Sequence, residues 1–203
     1  MGWNFYSASG ELQINDGGVQ AASAVFTGNV DLGSNLLVGN AGSTGIAISS
    51  AGEVNMAAQP GFLVINSAED ADVTGNGAEI TVDFDTEIFD QNADFASDTF
   101  TAPVSGRYLL AWGVEVNDIS SDMTRHENRI LTSNRSFMYN GNPANLKEPG
   151  SDRFTFTGSV VGDMDADDTV TVRINFLNGA GDTADITGDG SYMRTFFSGW
   201  LMG

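Results

Sequence analysis

The residues best able to do chemistry in this chain are its acids. Asp163, Asp165, Asp167 and Asp168 stand in the run DMDADD, and Asp182, Asp185 and Asp189 follow in the next Gly-rich stretch. Alternating carboxylates offer hard oxygen ligands, and calcium takes about six to eight of them, so Asp163, Asp165 and Asp167 are the candidate metal residues. The run is not an EF-hand, since the sixth position from Asp163 is Asp168 instead of Gly and the twelfth is Ile174 instead of Glu. Ordinary acidic turns are the competing reading, and both stand at this point. The only imidazole, His126, lies beside Glu127 in a polar stretch and reads as a surface or subunit-interface residue. With no Cys and no Ser in a Gly-x-Ser-x-Gly elbow, no nucleophile is paired with it. Gly75-Asn76-Gly77 lacks the rest of a dinucleotide fingerprint, and no phosphate loop is present. Among 27 acids some pair always lies at a hydrolase-like separation, so pairs of carboxylates carry no information. No catalytic residue and no organic cofactor are expected.

Charge narrows the partners. There are 27 acidic against 8 basic residues, a net charge of −19, and no Lys or Arg before Arg107. Phosphate contacts need clustered cations, so nucleic acid is excluded as a partner, and an anionic membrane would repel this surface. No run approaches the ~20 apolar residues of a membrane span, and Met1 to Phe5 lacks the basic start of a secretory leader. An acidic, lysine-poor surface suits solubility in salt water, where ions screen its self-repulsion.

The elements that would position these residues are strands. The 25 glycines and many Asn, Asp, Ser and Thr imply frequent turns, and no long helical period is present. Arg107 to Val116 alternates, with Tyr108, Leu110, Trp112, Val114 and Val116 on one face. Glu79 to Phe89 alternates as well, which turns Ile80, Val82, Phe84 and Ile88 inward, and Thr169 to Leu177 repeats the pattern with Val170, Val172, Ile174 and Phe176. Phe62 to Asn66 and Arg153 to Val161 read as further strands, and Tyr192 to Met202 as a final, central one. His126 to Tyr139 is irregular, while Glu69 to Gly77 and Gly179 to Ser191 read as loops.

Upstream the chain changes character. Residues 1–19 place Trp3 and Phe5 at period two, and with Tyr6 form an aromatic cluster suited to docking, as an attachment segment. Residues 20–59 carry short apolar pairs, Val30/Leu32, Leu36/Val38, Ile46/Ile48 and Val54/Met56, separated by Gly-Asn turns at fairly even spacing. Each piece is too short to bury its own apolar side, a problem that association of several chains solves. This stretch resembles the Gly-Asn-rich β stems of bacteriophage fibre proteins, in which three chains intertwine. Gln59-Pro60-Gly61 closes it.

Residues 60–203 carry a second resemblance. Asn92, Phe95, Phe100, Ala102, Pro103, Gly106 and Tyr108, then Asp168-x-Val170, then Phe197, Gly199, Trp200 and Leu201 match the motifs of complement-type globular heads, relatives of the tumour-necrosis-factor jelly roll. Asp98, Leu110 and Asp167 depart from the pattern where Gly, an aromatic and Gly are usual. The resemblance implies a jelly-roll β-sandwich of about ten strands, a homotrimer, and binding instead of catalysis. The expected trimer core is Tyr108, Trp112, Phe197 and Trp200.

Together these readings predict an all-β, homotrimeric protein in three parts: an attachment segment (1–19), an intertwined stem (20–59) and a jelly-roll head (60–203). The expected role is a non-enzymatic structural protein on the virion surface of a tailed bacteriophage, a capsid decoration (cement) protein or short head fibre. Its partners would be itself and the major capsid protein or another virion protein. The alternative is a tail-fibre or tailspike tip that recognises a host surface glycan or protein, and the third reading is a free-standing carbohydrate-binding module.

Overall fold

Every second residue from Tyr108 to Val116 is buried to within 1% of complete, and that phase sets the layers of the molecule. The computed structural model describes residues 37–38, 45–147 and 151–203. In chain order its elements are β1 (Leu37–Val38), β2 (Gly45–Ile48), β3 (Val54–Asn55), β4 (Gly61–Ile65), β5 (Asp70–Thr74), β6 (Glu79–Thr81), β7 (Thr86–Asp90), β8 (Phe95–Ala96), β9 (Thr99–Thr101), β10 (Gly106–Asn117), β11 (Arg125–Thr132) and β12 (Ser136–Gly141). A single turn of helix, α1 (Pro143–Leu146), precedes β13 (Phe154–Met164), β14 (Thr169–Leu177), β15 (Ala184–Ile186) and β16 (Phe196–Leu201).

Two antiparallel sheets face each other. The larger runs β7-β4-β16-β10-β13, with β15 and β5 continuing from the far end of β10. The smaller runs β8-β9-β14-β11-β12, with β6 beside β14. Setting aside the small additions, that is five strands on five, with the chain crossing between sheets after β7, β9, β10, β12, β13 and β14. This is a jelly-roll β-sandwich. The interior is apolar side chains alternating inward from both layers: Tyr108, Leu110, Trp112, Val114 and Phe197 from one, Ile130, Val170, Val172, Ile174 and Phe176 from the other.

The motif residues explain themselves in this core. Phe62 and Phe100 stack at 4.6 Å and Phe197 meets Phe62 edge-on at 4.9 Å. Gly199 makes room for that cluster, because a Cβ there would fall 2.4 Å from Cε1 of Phe62. The Tyr108 hydroxyl donates to the Val104 carbonyl at 2.8 Å, fastening the Pro103–Gly106 loop to the strand it launches.

Several sequence expectations are corrected. Glu79 to Phe89 is not one strand: β6 joins the smaller sheet and β7 the larger, Val82 and Phe84 are buried in the crossing, and Ile88 faces out at 44% exposure. His126 to Tyr139 is a regular hairpin, β11 to β12. Its inward positions are His126, Asn128, Ile130 and Thr132, so polar residue types hide an ordinary alternation. The loops at Glu69–Gly77 and Gly179–Ser191 contain β5 and β15, and β15 is wholly buried against the end of β10.

Of the stem, β1, β2 and β3 form a small antiparallel meander, Leu37 opposite Ile46 and Ile48 opposite Val54. Ile46, Val54 and Met56 are exposed by 38%, 63% and 43%, so a single chain leaves these three side chains largely uncovered. The docking residues Trp3, Phe5 and Tyr6 lie outside the described residues.

Candidate functional site: the outer face of the larger sheet

The residues that face away from the core on β10, β13, β16, β4 and β7 form rows across the larger sheet. Val161, Leu109 and Trp200 are cross-strand neighbours in one row, exposed by 52%, 41% and 42%. The next row is Ser159, Ala111, Ser198, Leu63 and Phe89, of which Phe89 is 42% exposed. Trp200 can lie flat across the sheet because its neighbour on β4 is Gly61, where a Cβ would sit 2.3 Å from the indole. Between Trp200, Leu109, Ala111, Ser198 and Phe89 lies a shallow apolar hollow of about 270 Å³.

On β13, β10, β16 and β4 charge is confined to the two ends of this face. Arg107 and Asp163 are opposite each other at one end. At the other, Glu115 accepts from Arg194 Nη1 at 2.9 Å and from Arg153 Nη1 at 3.3 Å. Between those ends the outward positions of β13, β10, β16 and β4 carry no ionisable side chain, on a chain of net charge −19; on the edge strand β7, Glu87 is exposed. An uncharged apolar band of this kind excludes water on contact with a surface of the same character.

The expected trimer-core residues divide. Tyr108, Trp112 and Phe197 are buried to within 1% inside one chain, packed against their own opposite sheet, so they have no surface to offer a second copy. Only Trp200 reaches the outer face. The residues the sequence reading missed, Leu63, Phe89, Leu109 and Val161, occupy the alternate phase of the same strands. Their signal was present: in RYLLAWGVEV the positions between the core residues hold Leu109, Ala111 and Gly113, and no charge appears until Glu115.

His126 is also relocated. It is 4% exposed and stacks on Phe156 and Phe176 with ring centroids 5.6 and 5.8 Å away, with Phe154 at 5.6 Å. Burial pushes its imidazole below the ordinary histidine value, and the Gly141 backbone opposes that only in part. Its Nδ1 is buried without a partner among the described residues.

The DMDADD acids sit in the turn between β13 and β14. Asp163 pairs with Arg135 at 2.8 Å, and the Asp168 carboxylate accepts the Asp165 amide at 2.8 Å and the Asn134 side chain at 2.5 Å. Asp165 and Asp167 are exposed, and among the described residues no three His, Cys, Asp or Glu side chains converge as metal ligands. Asp168 therefore acts as the turn's clasp. Thermal melts should show Asp168→Ala destabilised by about 1–2 kcal/mol and Asp165→Ala by less than about 0.5, with calcium shifting neither.

The strand order defines the class of protein as a jelly-roll β-sandwich. Among solved structures the chain is similar to the globular domain of a zebrafish complement 1qA protein, at 19% identity and a TM-score of 0.49, over 71% of this chain and 98% of that one. Murine APRIL at pH 8.5 and at pH 5.0 is similar at 14% and 12% identity, each with a TM-score of 0.48 over 71% of this chain and 99% of its own. No family model matches the chain, and no curated protein does.

Proposed function

We propose that this chain is a non-enzymatic structural protein that assembles as a homotrimer through the outer face of its larger sheet. The observation that carries the reading is the uncharged band of Val161, Leu109, Trp200, Leu63 and Phe89 on an otherwise acidic molecule. A second copy of the same chain is the occupant it fits, because both faces are then apolar and the terminal charges remain at the rim. The number three follows from the complement-type motifs at Phe100–Tyr108 and Phe197–Leu201, and from a stem whose Ile46, Val54 and Met56 need partners.

Within that reading the trimer is a component of a virion surface, a capsid decoration protein or short head fibre of a tailed bacteriophage. The Gly-Asn-rich stem and the salt-tolerant acidic surface support it. Many copies on one particle would turn weak contacts into avidity. A tail-fibre tip is the second reading, favoured by the exposed Tyr192, whose ring lies 5.4 Å from the guanidinium of Arg194 at the edge of a hollow that Arg194 shares with Arg153.

Light scattering on the full chain should give the mass of three chains, and a single-chain mass would remove the assembly reading. Binding to expanded capsids with increased heat stability would then favour decoration. Binding of the same trimer to host cells would favour the fibre tip.

A further inference from the structure

The loop between β15 and β16 is held in one shape and presents an aromatic ring to solvent. The Asp189 carboxylate accepts the amides of Ser191 and Tyr192 at 2.8 and 3.0 Å, and the Met193 amide donates to the Asp189 carbonyl at 2.9 Å. Met193 sits at φ 50°, a left-handed conformation that costs a non-glycine residue about 1–2 kcal/mol. Gly188 anchors the base, since a Cβ there would fall 1.9 Å from the Ala68 carbonyl oxygen. The result is Tyr192 with 76% of its surface exposed, more than any other large apolar side chain described. Nothing in the core requires this ring to stand out.

Arg194 connects the ring to a hollow. Its guanidinium lies 5.4 Å from the centre of the Tyr192 ring and also lines a depression of about 440 Å³ shared with Glu115, Ser151, Arg153 and Thr155. That volume falls within the range of small-ligand sites. The Glu115 carboxylate is committed to holding the arginines: it accepts from Arg194 Nη1 at 2.9 and 3.1 Å, from Arg153 Nη1 at 3.3 Å and from the Thr155 hydroxyl at 3.3 Å. Each guanidinium carries five N–H donors; the bonds to Glu115 use only the Nη1 groups, and Arg194 Nε faces Asp189 Oδ2 at 3.5 Å, which leaves the Nη2 group of each without a partner among the described residues. Arg153 and Arg194 remain 49% and 35% exposed. In a chain with 8 basic residues, two of them are braced on one carboxylate and partly exposed, one of them over the ring of an exposed tyrosine.

We propose that this hollow binds an acidic saccharide, with a sugar ring against Tyr192 and its carboxylate on the outer edges of Arg153 and Arg194. A sugar ring offers an apolar face to an aromatic and oxygen acceptors around its rim, and a planar guanidinium takes a carboxylate through two parallel bonds. Glu115 and Asp189 act as positioning residues that fix the two cations before the ligand arrives. The site is built from one chain and does not need the trimer.

The test is calorimetric titration of the full chain with a tetrasaccharide of uronic acids and, separately, with a neutral tetrasaccharide of hexoses. The expected result is binding of the uronate alone, weakened at least ten-fold by Tyr192→Ala and by Arg194→Gln, with solution mass and melting temperature unchanged in Tyr192→Ala. Because Tyr192 is outside the core, that variant keeps the test informative if Arg194→Gln misfolds. No heat with either sugar overturns the proposal, as does equal binding of the neutral sugar or full uronate affinity in Tyr192→Ala. A change of solution mass in Tyr192→Ala also overturns it, by assigning the loop to contact between copies instead.

Discussion

A full chain carrying Leu109→Glu should scatter light as one chain where the unaltered protein, on the proposed assembly, should scatter as three. Leu109 is on the outer face, 41% exposed, between Val161 and Trp200, so in a single chain the new carboxylate stays in water and the core side chains Tyr108 and Leu110 on either side are untouched. In the trimer it would be desolvated against an apolar surface, with symmetry bringing in two further copies of the same charge. Burying an uncompensated charge costs at least several kcal/mol, so association should weaken by about 100-fold or more. The melting temperature of the single chain separates loss of assembly from loss of fold. Val104→Glu, at an exposed loop position 45% accessible, is the control and should leave the mass unchanged. If Leu109→Glu still gives three chains, the outer face of the larger sheet is not where the copies meet.

How much of this was legible in the sequence depended on which phase of a strand held the information. The inward phase was clear wherever it was apolar: Tyr108 to Val116 and Val170 to Phe176 read correctly because each inward side chain is large and hydrophobic. It was hidden in β11, where His126, Asn128 and Thr132 occupy buried positions and only Ile130 has the expected character. The single strand expected over Glu79 to Phe89 failed for a different reason. Alternation continues through Asp83 and Asp85, but the chain changes sheets there, and a period of two carries no record of which sheet a residue faces.

The face proposed for assembly was harder still. Aromatic residues in the closing motifs invite an interface assignment, yet three of the four chosen are the interior of the sandwich, and large rings in a sandwich are core before they are anything else. The outer band is assembled from single residues on five strands, brought into rows only by pairing registers such as Leu109 with Val161 and Trp200. A register is a three-dimensional fact. Tyr192 reads from sequence as the first residue of the final strand, which in fact begins at Phe196; Asp189 and Arg194 are its near neighbours, but Arg153 and Glu115, which complete the braced cluster, lie about 40 and 80 residues upstream, too far for local pattern to join.

Acid should destabilise the protein through His126, and replacing that residue should remove the effect. The imidazole lies among Phe154, Phe156 and Phe176 with its pKa pushed below the ordinary 6.5 by burial. The unfolded chain therefore binds the proton more readily than the folded one, and wherever the unfolded state holds more protons stability rises with pH, so it is lost as pH falls. This loss begins near the ordinary value of 6.5, grows as pH falls, and levels off only below the lowered folded pKa. Other groups act in the opposite sense: Asp70 and Asp94 have carboxyl pKa values raised by desolvation, so protonating them favours the folded state, and lowering pH also relieves the repulsion within a chain of net charge −19. The total pH profile mixes these terms, whereas the difference between the natural chain and His126→Phe isolates the imidazole. A phenyl ring of similar size fits the aromatic surroundings and carries no proton, so the variant should be within about 1.5 kcal/mol of the natural protein at pH 8. Denaturant melts should show the natural chain losing stability relative to the variant between pH 7 and pH 5. A constant difference across that range would mean that the imidazole is not held neutral in the folded state, and the aromatic enclosure would then be more hydrated than its packing implies.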